Sequence, residues 1–214
     1  GFYMCGIVGI VGREPVAARL VDALRRLEYR GYDSAGVATI HEGQLDRRRA
    51  EGKLFNLETK LAGEPLPGTI GIAHTRWATH GVPNETNAHP HFVDGVAVVH
   101  NGIIENFSEL KDALIADGAV FTSQTDTEVV AHLLAHYTRE GLGHREAMLA
   151  MLNRVSGAYA LVVMFEDEPG TIFSARFGPP LAVGHGRGEM FLGSDAIALS
   201  PFTNEITYLV DGDC

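Results

Sequence analysis

The first residue whose type could do chemistry is a cysteine near the start of the chain. Cys5 stands directly before an apolar stretch, GIVGIV, which is typical of a buried strand. Free cysteine is most often a small buried hydrophobic side chain, so this position alone favours packing. If Met4 is the initiator and is removed, however, Cys5 gains an α-amine with a pKa of roughly 7.7–8. Such an amine can take the proton of its own thiol, which makes Cys5 a candidate N-terminal nucleophile.

A second chemical segment is HTRWATHG, residues 74–81, at the end of a predicted strand. Arg76 offers a planar guanidinium group that suits a carboxylate, although a surface salt bridge would use it equally well. Trp77 is the only tryptophan of the chain, and a single tryptophan usually anchors a core or a lid over a cavity. Thr79 and His80 are either structural loop residues or ligand contacts.

Two further segments, residues 100–106 and 123–129, place an amide and a carboxylate at the ends of predicted elements. Asn101 and the neighbouring Gly102 N–H could give two donors to a developing oxyanion. Gly102 also lets the backbone approach closely, but Asn-Gly is equally a common turn dipeptide. Asp126 falls in the first turn of a predicted helix, where it could complement the helix dipole or hold an ammonium group.

A cluster of histidines raises the alternative of a metal-binding module, because histidine is the commonest metal ligand. No pair of them has the spacing of a known zinc motif on a helix, and the chain has no paired cysteines. We therefore predict neither a metal nor an organic cofactor. The histidines concerned are His74, His80, His89, His91 and His100.

Composition limits the domain count and the class of partner. The chain has 214 residues, 45% of them hydrophobic, which suits one large domain. A formal net charge of −10 argues against nucleic acid or an anionic membrane as a partner. No apolar run reaches the ~20 residues of a membrane span, and the first residues lack the basic start of a signal peptide. A cytoplasmic protein is the expectation.

Apolar periodicity predicts alternating helices and strands. A helix opens at Glu14-Pro15 and closes at Gly31, and Thr125-x-x-Glu128 predicts a capping box for a later one. The helices are predicted over 14–31, 53–61, 106–116, 125–137 and 144–155. The strands are predicted over 5–11, 34–41, 44–51, 69–76, 95–102, 158–165, 171–175, 180–184, 190–194 and 205–210.

The segment 77–93 lacks periodicity, and a loop of that length in a compact domain is usually functional or disordered. The chain shows no internal repeat, no low-complexity tract and no linker-like change of composition. These features predict a single α+β domain, with mostly antiparallel strands whose sheets are covered by helices.

The order of six segments resembles the glutamine amidotransferases of the N-terminal-nucleophile class, over nearly the whole chain from Cys5 to Asp213. The resemblance implies the family fold, a four-layer αββα sandwich of the N-terminal-nucleophile hydrolase type. The segments are CGIVGIVG (5–12), LEYRGYDSAG (27–36), HTRWATHG (74–81), NAHPH (87–91), VVHNGIIENF (98–107) and TDTEV (125–129).

Within that class, details resemble the glutamine–fructose-6-phosphate aminotransferases, also called glucosamine-6-phosphate synthases. These details are Tyr29, Tyr32, Trp77 and the isoleucine pair 103–104. Two alternatives stay open: the glutaminase domain of another class II enzyme, such as a phosphoribosylpyrophosphate amidotransferase, and an inactive glutamine-binding module.

The resemblance implies roles for the candidate residues in breaking down glutamine through a cysteinyl thioester, without metal or cofactor. Cys5 would attack the side-chain carbonyl, and its own α-amine would act as the base. Asn101 and the Gly102 N–H would form the oxyanion hole. Arg76 would bind the glutamine α-carboxylate and Asp126 its α-amino group. The remaining candidates are Trp77, Thr79 and His80, in a loop that closes over glutamine, and Arg30, which orders the site around the nucleophile.

The resemblance also implies a domain organisation. Residues 5–214 would be the glutaminase domain, whose ammonia feeds a C-terminal sugar isomerase domain that is absent here. The full-length enzyme would be a homodimer. Residues 1–4 would be an extension left from expression, and they turn the nitrogen of Cys5 into an amide. We therefore expect the chain as written to be weak or inactive as a glutaminase.

Overall fold

The computed structural model describes residues 5–78 and 81–214. In chain order the strands are β1 (Gly6–Val11), β2 (Ser34–His41), β3 (Gln44–Glu51), β4 (Ile70–Arg76), β5 (His91–Val93), β6 (Val96–Ile104), β7 (Gly157–Phe165), β8 (Phe173–Phe177), β9 (Ala182–His185), β10 (Met190–Gly193) and β11 (Ile206–Tyr208). The helices are α1 (Ala17–Arg25), α2 (Leu54–Gly63), α3 (Phe107–Ala116), α4 (Thr127–Arg139), α5 (His144–Leu152) and α6 (Ala196–Leu199). Within this part of the chain, none of the helices has the length and apolar character needed to span a membrane.

The strands form two antiparallel sheets that pack face to face. The larger sheet has the order β11-β9-β10-β1-β4-β2-β3, and the smaller has the order β5-β6-β7-β8. Helices α1 and α2 cover the outer face of the larger sheet, while α3, α4 and α5 cover the outer face of the smaller one. The predicted four-layer αββα architecture is confirmed.

The position of strand β1 between two layers explains why its sequence is apolar without interruption. Val8 and Ile10 point to the helices, whereas Ile7 points to the smaller sheet. Successive side chains of a strand alternate between its two faces, so a strand in an inner layer must be apolar on both. All three side chains are fully buried. The first predicted strand is therefore confirmed, and it lies at the centre of the molecule.

One glycine of β2 permits the loop before β5 to lie directly against the larger sheet. A Cβ atom on Gly36 would stand 1.9 Å from the carbonyl oxygen of His89. No side chain can occupy that space, since real Cβ contacts do not fall below 3.0 Å. This close approach brings His89 into the interior, where it becomes part of the environment of the candidate site.

The structure differs from the sequence predictions in several element boundaries and in one additional helix. The first helix ends at Arg25 instead of Gly31, because residues Glu28–Arg30 tighten into a separate 3₁₀ turn. The predicted long loop 77–93 ends in the short strand β5, which pairs with β6. Helix α6 was not predicted; Asp195 caps it by accepting a hydrogen bond from the Ile197 N–H at 3.1 Å.

The predicted capping box at Thr125-x-x-Glu128 is wrong. Helix α4 begins at Thr127, after Asp126, and no side chain caps its N-terminus. The Glu128 carboxylate instead accepts the backbone N–H groups of Thr122 and Ser123. A carboxylate in the first turn of a helix can accept hydrogen bonds from N–H groups of the helix or of the preceding loop. The Glu128 carboxylate accepts them from the loop.

Candidate active site

The pairing of β1 with β4 places the candidate nucleophile beside the segment that contains Arg76. Gly6 lies opposite Thr75 in the register, so Cys5 reaches the end of β4. The Trp77 N–H donates to the Cys5 Sγ at 3.1 Å, and the thiol in turn faces the Trp77 carbonyl oxygen at 3.7 Å. The sulfur therefore lies between the two polar groups of one residue at a strand end.

The smaller sheet contains Asn101, whose amide the sequence analysis suggested as a donor in an oxyanion hole. The Asn101 Nδ2 donates to the Cys5 carbonyl oxygen at 3.0 Å, so β6 reaches the nucleophile from the opposite sheet. Gly102 has a φ of +116°, and a Cβ there would stand 2.2 Å from the Ala158 carbonyl oxygen. Only glycine combines that backbone conformation with that contact, which makes Asn101-Gly102 part of a strand rather than a turn.

Two charged candidates, Arg76 and Asp126, are both about 95% buried. Arg76 donates through its Nη1 and Nη2 atoms to the carbonyl oxygens of Val82 at 3.1 Å and Gly81 at 3.4 Å. The Asp126 Oδ2 accepts the backbone N–H of Ile104 at 2.8 Å. Both charges are thus held at defined places, Arg76 at the end of β4 and Asp126 directly before α4.

A cavity of about 40 Å³ joins these groups. At roughly 10–15 Å³ of such volume for each water, it has room for about three water molecules and is too small for an amino acid. An amino acid can enter only if lining groups move. The candidate residues that line this cavity are Cys5, Arg76, Trp77, Gly102 and Asp126.

Arg30 also reaches the nucleophile, through a group of residues that the sequence did not single out. Its Nη1 donates to the Cys5 carbonyl oxygen at 3.4 Å and to the Ser194 Oγ at 3.3 Å. Ser194 accepts the backbone N–H of Ile7, and Asp195 lies 3.9 Å from the Arg30 Nη2. Ser194 and Asp195 follow β10, which pairs with β1, and no local motif pointed to them.

The electrostatic environment keeps the thiol protonated near neutral pH. Burial raises the pKa of Cys5, and the Trp77 N–H and the Arg76 charge oppose this shift without cancelling it. Burial also lowers the pKa of His74 to about 3 and that of His89 well below 6.5, so both imidazoles are neutral. Neither ring is basic enough to take the thiol proton efficiently.

Four of the five clustered histidines form a buried cluster that extends from the space between the sheets to the N-terminus of α4. We call it the histidine layer, and its members are His74, His89, His91 and His100. The rings of His74 and His89 stack at 4.0 Å with 9° between their planes, and His91 meets His89 edge-on at 4.8 Å.

Each ring of the histidine layer also has a specific polar partner. His89 Nδ1 accepts the His100 N–H, His91 Nε2 meets the Thr125 Oγ1, and His100 Nδ1 meets the Thr127 Oγ1. In residues 5–78 and 81–214, no group of three or more His, Cys, Asp or Glu side chains is arranged to hold a metal ion.

A larger cavity of about 570 Å³ lies elsewhere, between α3, α4 and the turn after β5. None of the candidate residues lines it. Its buried polar pair is Glu128 and His132, whose Oε2 and Nε2 atoms are 3.2 Å apart. Burial alone would raise the pKa of Glu128, but hydrogen bonds from His132, Ser123 and Thr122 lower it to about 2. The pair therefore fixes the loop before α4.

The structure thus brings seven of the nine predicted site residues together. Five line one cavity, while Asn101 and Arg30 bind the carbonyl of the nucleophile. The other two, Thr79 and His80, lie outside the described residues. The groups around the nucleophile that sequence analysis missed are Ser194 and Asp195, which contact Ile7 and Arg30.

A four-layer αββα sandwich with a cysteine at the head of its central strand defines the glutamine amidotransferases of the N-terminal-nucleophile class. The family model described as "Glutamine amidotransferase domain" matches residues 74–201, more than half of the chain. The chain therefore belongs to the glutamine amidotransferase domain family.

Its relatives narrow this class to one branch. The chain is 83% identical to the glutamine–fructose-6-phosphate aminotransferase (isomerizing) of Agrobacterium fabrum, over 99% of this chain and 35% of that protein. It is 78% identical to the protein of the same name from Rhizobium meliloti, over 98% of this chain and 34% of that protein. The chain thus spans about a third of the length of these curated relatives, and the predicted resemblance to this branch is confirmed.

Solved structures agree on the fold. The phosphoribosylpyrophosphate amidotransferase of B. subtilis, complexed with ADP and GMP, superposes with a TM-score of 0.82 at 28% identity. That match covers 97% of this chain and 46% of the other. A glutamine aminotransferase class-II domain protein from Silicibacter pomeroyi gives a TM-score of 0.64 at 16% identity, covers 97% and 92% of the two chains, and supports the fold alone. The much lower identity to the phosphoribosylpyrophosphate enzyme disfavours the alternative of that branch.

Proposed function

We propose that this domain hydrolyses glutamine to glutamate and ammonia through a γ-glutamyl thioester on Cys5. The observation that carries the proposal is the shared cavity. The Cys5 sulfur, the Arg76 guanidinium and the Asp126 carboxylate line it together. A sulfur that shares one cavity with a cation and an anion matches an α-amino acid whose two charged groups pair with Arg76 and Asp126 while its side chain reaches the sulfur.

Arg76 and Asp126 would hold the two charged ends of glutamine. Burial lowers the pKa of Arg76, which shows that its charge is poorly solvated and would gain from a carboxylate. Its present acceptors, the carbonyl oxygens of Gly81 and Val82, would give way to the substrate α-carboxylate. Asp126 keeps its Ile104 hydrogen bond on Oδ2, and its carboxylate would receive the α-ammonium group.

The covering loop would complete the site. Trp77 is 46% exposed, and its own N–H contacts the sulfur, so a movement of this residue both opens the cavity and releases the thiol. We propose that Trp77, Thr79 and His80 close over bound glutamine. Arg30, which binds the Cys5 carbonyl oxygen, would keep the nucleophile in register with this loop.

The first chemical step would form the thioester. The Cys5 thiol proton passes to the α-amine of the same residue, and the sulfur attacks the side-chain carbonyl carbon of glutamine. The oxygen becomes an oxyanion that accepts hydrogen bonds from the Asn101 Nδ2 and the Gly102 N–H. As the carbon–nitrogen bond breaks, the amine returns its proton to the leaving group, which departs as ammonia.

The second step would release glutamate. Water gives a proton to the same α-amine and attacks the thioester carbonyl, again through an oxyanion held by Asn101 and Gly102. The carbon–sulfur bond then breaks, and the protonated amine returns a proton to the Cys5 sulfur. Free glutamate leaves, and the enzyme regains its starting state without a net change of charge.

The α-amine of Cys5, which is free when the chain begins at that residue, is the base best suited to this chemistry. Burial raises the pKa of the Cys5 thiol, so a base must remove its proton near neutral pH. The neighbouring imidazole of His74, with a pKa of about 3, is too weak for that task. A free α-amine has a pKa of roughly 7.7–8 and is attached to the same residue. We therefore propose that residues 1–4 are an extension and that 5–214 is the working domain.

The relatives suggest what the ammonia is for. They are about three times as long as this chain and are named for the amination of fructose 6-phosphate. We propose that the ammonia passes to a C-terminal isomerase domain, where it yields glucosamine 6-phosphate. The full-length enzyme would be a cytoplasmic homodimer, as the resemblance implies.

The decisive experiment uses a chain that begins at Cys5. We expect it to release ammonia and glutamate from glutamine, and a glutamine-mimicking diazoketone to label Cys5, as located by peptide mass spectrometry. Cys214, the exposed second cysteine, gives the matched control, because Cys214→Ser should keep both activity and labelling. Cys5→Ala should lose both. Binding of glutamine without turnover or labelling would instead support an inactive glutamine-binding module.

A further inference from the structure

A buried histidine behind the nucleophile has a hydrogen-bonding role that the proposed reaction has not used. His74 is the fifth residue of β4 and points into the space between the sheets, with no exposed surface. Its Nε2 lies 3.0 Å from the Asn101 Oδ1 and 3.0 Å from the His100 carbonyl oxygen. The carbonyl oxygen can only accept a hydrogen bond, so Nε2 must carry the proton.

This proton decides which way the Asn101 amide faces. With Nε2–H as the donor, the Asn101 oxygen must turn to His74, and the Nδ2 then donates to the Cys5 carbonyl oxygen at 3.0 Å. In the flipped amide, two donors would meet at His74 and two acceptors would meet at Cys5. Both ends of the amide therefore select the same orientation, which puts the N–H group on the side of the nucleophile.

The surroundings of the rest of the ring are consistent with a neutral His74 that carries its proton on Nε2. His74 Nδ1 is buried and makes no hydrogen bond within the described part of the chain. The ring face stacks on His89 at 4.0 Å, which fixes its plane. Burial lowers the pKa of His74 to about 3, so the ring stays neutral over the pH range in which such enzymes are assayed.

We propose that His74 is a positioning residue that sets the orientation of the Asn101 side chain, and through it the oxyanion donor, for glutamine hydrolysis. The proposal rests on the proposed function, in which Asn101 donates a hydrogen bond to the oxyanion. His74 itself need not touch substrate. Its loss should slow the chemical step, which needs a correctly aimed donor, and leave glutamine binding, which uses other groups, nearly unchanged.

Two substitutions separate the hydrogen bond from the ring. His74→Phe keeps an aromatic ring for the stack on His89 but has no donor. His74→Gln loses the ring, yet its amide N–H can reach the position of Nε2. In a chain that starts at Cys5, we expect kcat to fall ~10–100-fold in the phenylalanine variant, below the ~10²–10³-fold expected for loss of the Asn101 donor itself. The glutamine variant should recover most of that loss, with KM for glutamine nearly constant throughout.

A double-mutant cycle tests whether His74 acts through Asn101. The combination of His74→Phe with Asn101→Ala should be no slower than Asn101→Ala alone, because the group to be positioned is gone. Losses that add in full, or an unchanged kcat in His74→Phe, would overturn the proposal. A KM that rises while kcat stays constant would do so as well.

A measurement on the unsubstituted domain keeps the proposal testable if the variants fail to fold or if the domain proves inactive. Long-range ¹H–¹⁵N NMR spectra report which imidazole nitrogen carries the proton. Protonated Nε2 and bare Nδ1 on His74, together with slow exchange of the Asn101 side-chain N–H groups, would support the positioning role. The opposite tautomer would refute it, whereas absent ammonia release alone would refute only the proposed function.

Discussion

The two sheets contribute differently to the site. The larger sheet supplies what we call the nucleophile side, Cys5 with Arg76 and Trp77, whose polar groups bind backbone atoms of the covering loop. The smaller sheet supplies the oxyanion side, Asn101 with Gly102, and the Asn101 amide is held by His74 of the larger sheet. In the proposed reaction, the first set would exchange partners when glutamine enters, whereas the Asn101 amide is already held before substrate binds.

This difference indicates that the two sides meet different requirements of the proposed reaction. Donors fixed before substrate arrives need no reorganisation during the reaction, and that is the requirement for stabilising an oxyanion. The proposed closure of the nucleophile side over glutamine would instead require movement, and burial raises the pKa of its thiol. Substitution of an oxyanion donor should therefore lower kcat rather than raise KM.

The largest expected effect concerns the nucleophile side and the chain start. With Gly1–Met4 attached, the Cys5 nitrogen is an amide and cannot accept a proton. General-base catalysis is typically worth ~10²–10⁴-fold, so we expect the chain that starts at Cys5 to release ammonia faster by about that factor. A coupled glutamate assay on both forms provides the measurement. Equal rates would remove the α-amine from the reaction.

The next effect concerns the oxyanion side. Asn101→Ala should lower kcat by ~10²–10³-fold, because one fixed donor to the oxyanion is lost. KM for glutamine should change little. The matched control is Asn106→Ala, since Asn106 bonds to Arg154 and Ser156 outside the site. A rise in KM without a fall in kcat would indicate that Asn101 binds substrate instead of the oxyanion. The proposed difference between the two sides would then be wrong.

Removal of the charges that hold glutamine should have a smaller effect of another kind. Asp126→Asn should raise KM about 10- to 100-fold, since a hydrogen bond to a charged group contributes ~1.5–3 kcal/mol. Initial rates over a range of glutamine concentrations separate KM from kcat. Asp94→Asn, which removes a surface partner of Arg139, is the control. An unchanged KM would show that Asp126 serves only the Ile104 backbone.

A further effect, on stability rather than on rate, concerns the histidine layer. Burial lowers the pKa of His74 and His91 to about 3 and that of His89 well below 6.5. The unfolded chain therefore binds more protons than the folded one below pH 6.5. The stability that these neutral rings contribute is complete above that pH and is lost as the pH falls.

The expected slope is up to ~1.4 kcal/mol per pH unit for each histidine. Urea unfolding between pH 5 and 7 measures it, above the range in which Glu128 titrates. A His91→Gln variant should reduce the number of protons taken up on unfolding by about one. A flat profile would show that these rings titrate in the folded domain as they do in the unfolded chain, and would also weaken the role given to His74.

Much of the molecule was predictable because its signals are local. Strands such as β1 and β4 are marked by apolar residues that a neighbourhood of a few positions defines. The capping box failed for a related reason, since Thr125-x-x-Glu128 satisfies the local pattern while the Glu128 carboxylate binds the loop at Thr122 and Ser123. Local rules state what a side chain can do, and competing partners decide what it does.

By itself the sequence determined the chemical inventory: a cysteine at the head of a strand, an arginine and an amide at two strand ends, and the family to which their order belongs. Only the tertiary structure decided their geometry. Asn101 meets Cys5, Ser194 meets Ile7 and His74 meets Asn101 across separations of 96, 187 and 27 residues. Contacts of that range depend on which strands become neighbours and in what register. Sheet pairing and packing of the whole chain set those relations, and no short segment encodes them.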